Sequence, residues 1–359
     1  MLSSIAKPFA ALALAAALIS IVLAALGANP FSVFAALGAG AFGSWYACVD
    51  TLVKSTPLIF TGLAVSIAFS GALWNIGADG QLTIGAIAAG AIGTHLEDFP
   101  HSIAIAIILA AGALGGAAWG GVAGWLRARR DVNEVISTIM LNFVAVQMLS
   151  WMVHGPLMEP SGAYPTSSPI ALAAELEFYF APSRLNLGMI LAVVLAAACY
   201  MLLFNTSAGF ELRAMGRNRR AATFFGVRIP ALTVWVMALS GALAGLGGAV
   251  QVSAISHRLY EKLSPGWGFE AIAVALVARL NPLAIVPAAL LFGALDNGSQ
   301  AMQRTQGISP ELVQVIQGLV ILIILAFDTP AWTGLREQIF GASGDDAAAV
   351  PPVAEMPDA

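Results

Sequence analysis

The sequence predicts an all-α integral membrane protein with about ten transmembrane helices. Three observations carry this expectation. Of 359 residues, 59% are hydrophobic and only 10% are charged, against roughly half and a quarter in an average soluble domain. Mean hydropathy is +0.84, and so few charges cannot cover a 37.0 kDa globule with polar surface. Charge-poor runs of about 20 residues, the length that crosses a ~30 Å hydrocarbon core, recur along the chain.

Those runs fall at 8–28, 52–74, 80–96, 102–125, 134–153, 186–205, 231–252, 268–281, 282–300 and 310–327. The first is longer than the roughly 7–15 apolar residues of a signal-peptide core and is expected to stay as a span. Residues 32–50 are apolar but interrupted by glycine and are expected to lie at the outer interface. Residues 1–50 thus form a leading unit and 51–330 the core. The run 268–281 is the weakest, with eight uncharged residues between Glu270 and Arg279, as in a broken or re-entrant helix. Runs two to five and seven to ten form two groups of four with opposite entry sides, which allows an inverted repeat.

Basic residues set the orientation. One loop holds Arg127, Arg129 and Arg130; another holds Arg213, Arg217, Arg219, Arg220 and Arg228. With both in the cytoplasm, ten spans place both termini there too. His95, His101, His154 and His257 then fall in outer loops. The net charge of −4 arises in the tail 341–359, where Asp345, Asp346, Glu355 and Asp358 meet no base; that tail reads as disordered. No basic surface for nucleic acid remains. Cys48 and Cys199 stand far apart and supply neither a disulfide framework nor a zinc cluster.

Small residues repeat at helix-packing spacing: Gly112, Gly116, Gly120 and Gly124 on one helix, Gly241 and Gly245 on another. Glycines four apart let helix backbones approach closely in lipid. Enzyme signatures are missing. None of Lys7, Lys54 and Lys262 follows a glycine, so no phosphate-binding Gly-Lys-Ser/Thr loop exists. There is no HExxH and no metal-ligand cluster. Gly38, Gly40 and Gly43 match GxGxxG in form but follow no strand. The reading is a non-enzyme with no catalytic and no metal-binding residue.

Polar groups are costly in lipid and tend to face a bundle interior or a pathway. One cluster is Asn75-Ile76-Gly77-Ala78-Asp79-Gly80-Gln81. It reads either as a tight inner turn, with Asp79 near a helix start, or as irregular backbone shaping a gate. A second begins the fifth span. Glu134, Thr138 and Asn142 share a helical face, and Asn142 lies about 12 Å into the helix at 1.5 Å per residue. Its amide needs either a neighbouring helix or a passing solute. Gln147, Gln251, Glu270 and Asp296 are individually weaker candidates. Amides and hydroxyls outnumber fixed charges at mid-span, which suits an uncharged polar solute. The third cluster is the loop 209–225. It mixes arginines with Phe210, Leu212, Met215, Phe224 and Phe225, enough for a short amphipathic helix that lies on headgroups or docks on another protein.

The loop G-F-E-L-R-A-M-G-R-N-R-R-A-A (Gly209–Ala222) resembles the G-x-x-x-R-A-x-G-x-N-x-x-A-A element of permease subunits of ABC importers. The likeness is to the family that serves branched-chain amino acids, ribose-type sugars and nucleosides. N-I-G-A-D-G-Q at Asn75–Gln81 is similar to the family's N-I-G-x-E-G-Q, with Asp79 in place of Glu. N-E-V-I-S-T-I-M-L-N-F at Asn133–Phe143 resembles the nucleoside-importing branch, and S-P-G-W-G-F-E-A-I-A-V-A-L at Ser264–Leu276 completes the set.

The resemblance covers about residues 50–330 and implies the following. Gly209, Glu211, Arg213, Ala214, Gly216, Asn218, Ala221 and Ala222 form the coupling helix that docks on a cytoplasmic ABC ATPase. Asn75, Asp79, Gln81, Glu134, Thr138, Asn142 and Glu270 border the solute path. The chain carries no cofactor, ATP being bound by the partner subunit. A second permease subunit, identical or similar, and an extracytoplasmic solute-binding protein, in the nucleoside branch a lipoprotein, complete an importer in the bacterial inner membrane. Alternative cargoes are a simple sugar or a branched-chain amino acid. The rival from another class is an ion-coupled secondary transporter, which favours mid-membrane carboxylates.

Overall fold

The computed structural model describes residues 29–178 and 184–307, with isolated positions between 17 and 24 and at 315 and 318. The runs expected at 8–28 and 310–327 and the tail 341–359 lie outside the described residues apart from those positions.

Among the described residues the chain forms eleven α-helices, here α1 Pro30–Phe42, α2 Trp45–Ser70, α3 Ala78–Gly93, α4 His101–Arg130, α5 Glu134–His154, α6 Leu187–Asn205, α7 Ser207–Arg217, α8 Arg219–Phe224, α9 Ile229–Gln251, α10 Trp267–Val277 and α11 Pro282–Gln306. The last turn of α9 continues as a π turn, Val252–Ser256. Six helices are long and apolar enough to cross a membrane: α2, α4, α5, α6, α11 and α9 with its π turn. The chain is therefore a multi-pass membrane protein.

Polar residues before each apolar run explain where the helices start. Asn29, Asn133, Asn186 and Asn281 each accept the N–H two residues on at 2.9–3.0 Å. Ser44, Thr206 and Asn218 accept the N–H three residues on at 3.0–3.1 Å. Each such cap satisfies a donor that lipid cannot, for roughly 1 kcal/mol.

The structure sharpens two expectations here. Residues 32–50 stay helical through Gly38 and Gly40 and break only at Gly43, which ends α1 before Ser44 caps α2. Gly40 serves contact instead, since a Cβ there would strike the Ala301 Cβ of α11. Asn297 of α11 donates to the carbonyls of Gly40 and Ala47 and to Thr51 Oγ1, stitching α1 and α2 to α11. The run 268–281 is an 11-residue helix, α10, about 16 Å long and too short to cross alone. It stops at Ala278 because Arg279 and Leu280 take left-handed backbone at φ 52° and 58°.

Helix α9 packs along α4, α3 and α2. Its seam with α4 is made by the two glycine stripes. A Cβ on Gly116 would strike the Gly241 carbonyl oxygen, and one on Gly245 that of Gly112. Helix α2 is the innermost span, 78% of its apolar window being buried, against 28% in α5 and in α6. Both arginine-rich segments lie at one end of the bundle. The α4–α5 turn meets the chain just after α2 through Ile76 and Thr138, while α7 packs on Gly71. At the opposite end His101, His154 and His257 lie 3.8, 3.6 and 3.5 Å from Glu177, Glu261 and Glu175.

Candidate functional site

Between α2 and α3 the chain abandons helix for seven residues, 71–77, and the side chains around that break satisfy its backbone. Asn75 is fully buried. Its amide pairs reciprocally with Gln81 at 2.9 and 3.1 Å, donates to Ser240 Oγ at 2.8 Å and accepts the Gly77 N–H. Ser240 passes the connection to the Ala64 carbonyl of α2. From α5, Asn142 accepts the Gly80 N–H at 2.8 Å and donates to the Ile76 carbonyl at 2.9 Å. Thr138 accepts the Ile76 N–H and donates to the Glu134 carbonyl.

Thr138 and Asn142 sit about 6 and 12 Å along α5 from its start. The break therefore lies inside the bundle and not in a turn at its surface, which lipid permits only where protein covers the backbone. Gly80 is required there by contact, because a Cβ would come within 2.7 Å of Asn142 Oδ1.

Asp79 joins this break to a second one. Its Oδ1 accepts the Ser264 hydroxyl at 2.6 Å and the Gly268 N–H at 3.0 Å. Ser264 Oγ in turn accepts the N–H groups of Gly266 and Trp267 at the start of α10. The first turns of α3 and α10 thus meet around one carboxylate, where both helix dipoles favour negative charge. The two helices then run apart. Helix α3 climbs to Gly90 against Leu259, at the end opposite the arginines, and the turn that follows α10 reaches Leu280, whose carbonyl accepts from Ser66 Oγ late in α2.

The remaining path residues fall elsewhere. Glu134 is ion-paired with Arg127 at 3.0 Å, and Arg127 also holds Asp131 at 2.8 Å, so this carboxylate clamps the α4–α5 turn. Glu270, in the first turn of α10, is half-buried and has no hydrogen bond or ion pair among the described residues. Gln147 is exposed on α5.

Nearer the end opposite the arginines the structure opens a cavity of about 330 Å³ between α2, α9, α10 and α11. Lys54, Arg184, Gln251, Trp267, Gln300 and Arg304 line it. Lys54 Nζ lies 2.8 Å from Asp296. Sequence reasoning weighed only Gln251 and Asp296 in this region. The other residues come from four separate segments, and only the fold brings them together. One signal was present, a lone amide at the end of a glycine-rich apolar helix.

The loop 209–225 forms two helices instead of one, because Asn218 ends α7 and caps α8. Leu212 and Met215 are buried, and Gly216 lies so close that a Cβ would strike the Ser70 carbonyl oxygen at the end of α2. Gly209 is pressed against the Leu202 and Leu203 carbonyls of α6 in the same way. Arg213 stacks over the Phe204 ring at 4.9 Å. Phe210, Phe224 and Phe225 remain exposed, the last two at 87% and 81%. Glu211 is also exposed, whereas Ala214 and Ala221 are half-buried and Ala222 is buried.

Residues 47–325 match the family described as branched-chain amino acid transport system / permease component. The chain belongs to that permease family. Its relatives include a glucose ABC transporter permease protein of Haloferax volcanii, 32% identical over 85% of this chain and 83% of the relative. A guanosine ABC transporter permease protein of Bacillus subtilis is 34% identical over 90% and 93%. A nucleoside ABC transporter permease protein of Lactococcus lactis is 32% identical over 85% and 86%. No solved structure matches the chain.

Proposed function

We propose that this chain is the membrane-spanning subunit of an ATP-driven nucleoside importer, and that a separate cytoplasmic ATPase supplies the hydrolysis. The carrying observation is the exposed Phe210 on α7, which is anchored directly to the end of α2, with the exposed Phe224 and Phe225 at the end of the adjoining α8. An apolar, arginine-flanked surface at the arginine end suits a protein partner in the cytoplasm. Motion of α7 and α8 on the ATPase is passed through Gly216 and Ser70 to α2, and from α2 to the paired breaks at Asp79. Such motion biases access only if the solute binds the outward and inward states with different affinity.

Nucleosides are favoured as cargo by relatives named for guanosine and for nucleosides at 34% and 32% identity. The opposed half-helices α3 and α10 favour the inverted-repeat architecture of transporters. With runs at 8–28 and 310–327 included, this reading gives ten membrane segments and both termini in the cytoplasm. A second permease subunit and an extracytoplasmic solute-binding protein complete the assembly.

A glucose-transporting relative at 32% identity makes a sugar the second reading. Uptake of radiolabelled guanosine by the native host, with and without the gene, separates the two. Loss of guanosine uptake on deletion is expected, with glucose and leucine uptake intact. Loss of glucose uptake alone overturns the nucleoside assignment.

A further inference from the structure

Gln251 lines the cavity with an amide that the fold does not use for itself. It is only 9% exposed, yet its side-chain amide makes no hydrogen bond within the described residues. An amide without a protein partner at a cavity wall is left to bond whatever enters the cavity. Asn75, Gln81 and Asn142 show how this fold treats amides it uses for itself: each is bonded at 2.8–3.1 Å. The Gln251 amide borders the cavity of about 330 Å³, a size at the low end of small-molecule sites. It also stands where α9 loosens into its π turn, Val252–Ser256, a distortion that recurs at functional sites.

The rest of the lining has a definite chemistry. Trp267, at the head of α10, contributes a half-buried indole one residue from Gly268, whose N–H binds Asp79. Lys54 has its charge balanced by Asp296, while Arg184 and Arg304 are exposed residues of the lining. Asp50 also lines the cavity, so charges of both signs stand there, and an indole with an amide that offers a donor and an acceptor side by side suits a flat, uncharged ring with the complementary pair on its edge.

We propose that this cavity is the solute chamber of the subunit, that Trp267 stacks on the nucleobase and that Gln251 reads the base edge through paired hydrogen bonds. The inference rests on the nucleoside reading above and adds to it a place and a set of contacts. Asn75, Gln81, Thr138 and Asn142 then serve as the frame of the path and not as its lining, since their hydrogen bonds are closed within the protein.

The test uses the full importer in cells, with guanosine, adenosine, uridine and glucose as probes. Gln251→Leu is expected to raise the KM for nucleosides about tenfold, the discrimination a lost pair of hydrogen bonds gives, while the maximal rate changes less than about twofold. Gln251→Glu, which lacks the amide donor, is expected to shift the preference among the bases. Trp267→Leu is expected to weaken all three nucleosides alike, and Trp267→Phe to restore most of the loss.

Should a variant fail to assemble, Gln300→Cys in the otherwise native chain reports on the same cavity. Guanosine is expected to slow the labelling of its introduced thiol by an impermeant thiol reagent and glucose is not. Unchanged KM and base preference in the Gln251 and Trp267 variants overturns the chamber. So does thiol labelling of the Gln300→Cys variant that is indifferent to guanosine in an importer that carries it. A wild-type importer that carries glucose and no nucleoside overturns the nucleoside reading instead. In that case protection of the same introduced thiol by glucose keeps the cavity and changes its ligand.

Discussion

Two polar clusters lie inside the same helical bundle, and they differ in whether their hydrogen bonds close. At the break between α2 and α3, Asn75 and Asn142 spend both ends of their amides on the protein. In the cavity between α2, α9, α10 and α11, Gln251 spends its amide on nothing described. Polarity in lipid marks both alike. Only the accounting of donors and acceptors separates an amide that the fold uses for itself from one left unpaired at a cavity.

The widest expected gap between the clusters is in stability. Asn142→Leu leaves the Gly80 N–H and the Ile76 carbonyl without partners, at roughly 1–3 kcal/mol for each. A clear fall in the detergent unfolding temperature, with loss of folded yield, is expected. Gln251→Leu removes an already unpaired amide and is expected to leave that temperature unchanged or raised. A matching fall in the two variants would erase the distinction.

Changes on the surface of α7 and α8 should leave both clusters intact. Phe224→Ser with Phe225→Ser alters two exposed rings. Unfolding temperature is expected to stay within about 0.5 kcal/mol of wild type in stability terms, while the ATPase that copurifies with the chain falls at least about tenfold. Full retention of that ATPase would remove the docking assignment.

A smaller effect is expected at the carboxylate joining the two half-helices. Ser264→Ala deletes one of the two bonds to Asp79 and should cost about 1 kcal/mol. Smallest is Lys54→Gln, which breaks a partly exposed ion pair with Asp296 worth about 0–1 kcal/mol. Lys54 lines the cavity, so nucleoside uptake should change more than stability does. The reverse ordering would place Lys54 with the frame.

Much of this was legible in the sequence where one local rule sufficed. The stripes at Gly112–Gly124 and Gly241–Gly245 announce a close seam that the structure realises atom against atom. The polar interruption at Asn75–Gln81 and the broken or re-entrant character of 268–281 were also visible, but that one carboxylate, Asp79, ties the two regions together was not. That contact spans 185–189 residues. Residues 32–50 misled only in part: Gly43 does end a helix, but Gly40 is helical and serves the contact with α11. The cavity was hidden for the same reason as Asp79's partners: Lys54, Gln251, Trp267 and Gln300 come from four different helices.

The most direct test of the whole account is nucleoside accumulation by proteoliposomes holding the purified importer with its ATPase and binding protein. With ATP supplied to the face that carries α7 and α8, guanosine is expected to accumulate against its gradient, and neither nucleotide-free vesicles nor an imposed proton gradient should support it. Accumulation without ATP, or driven by the proton gradient alone, would contradict the account.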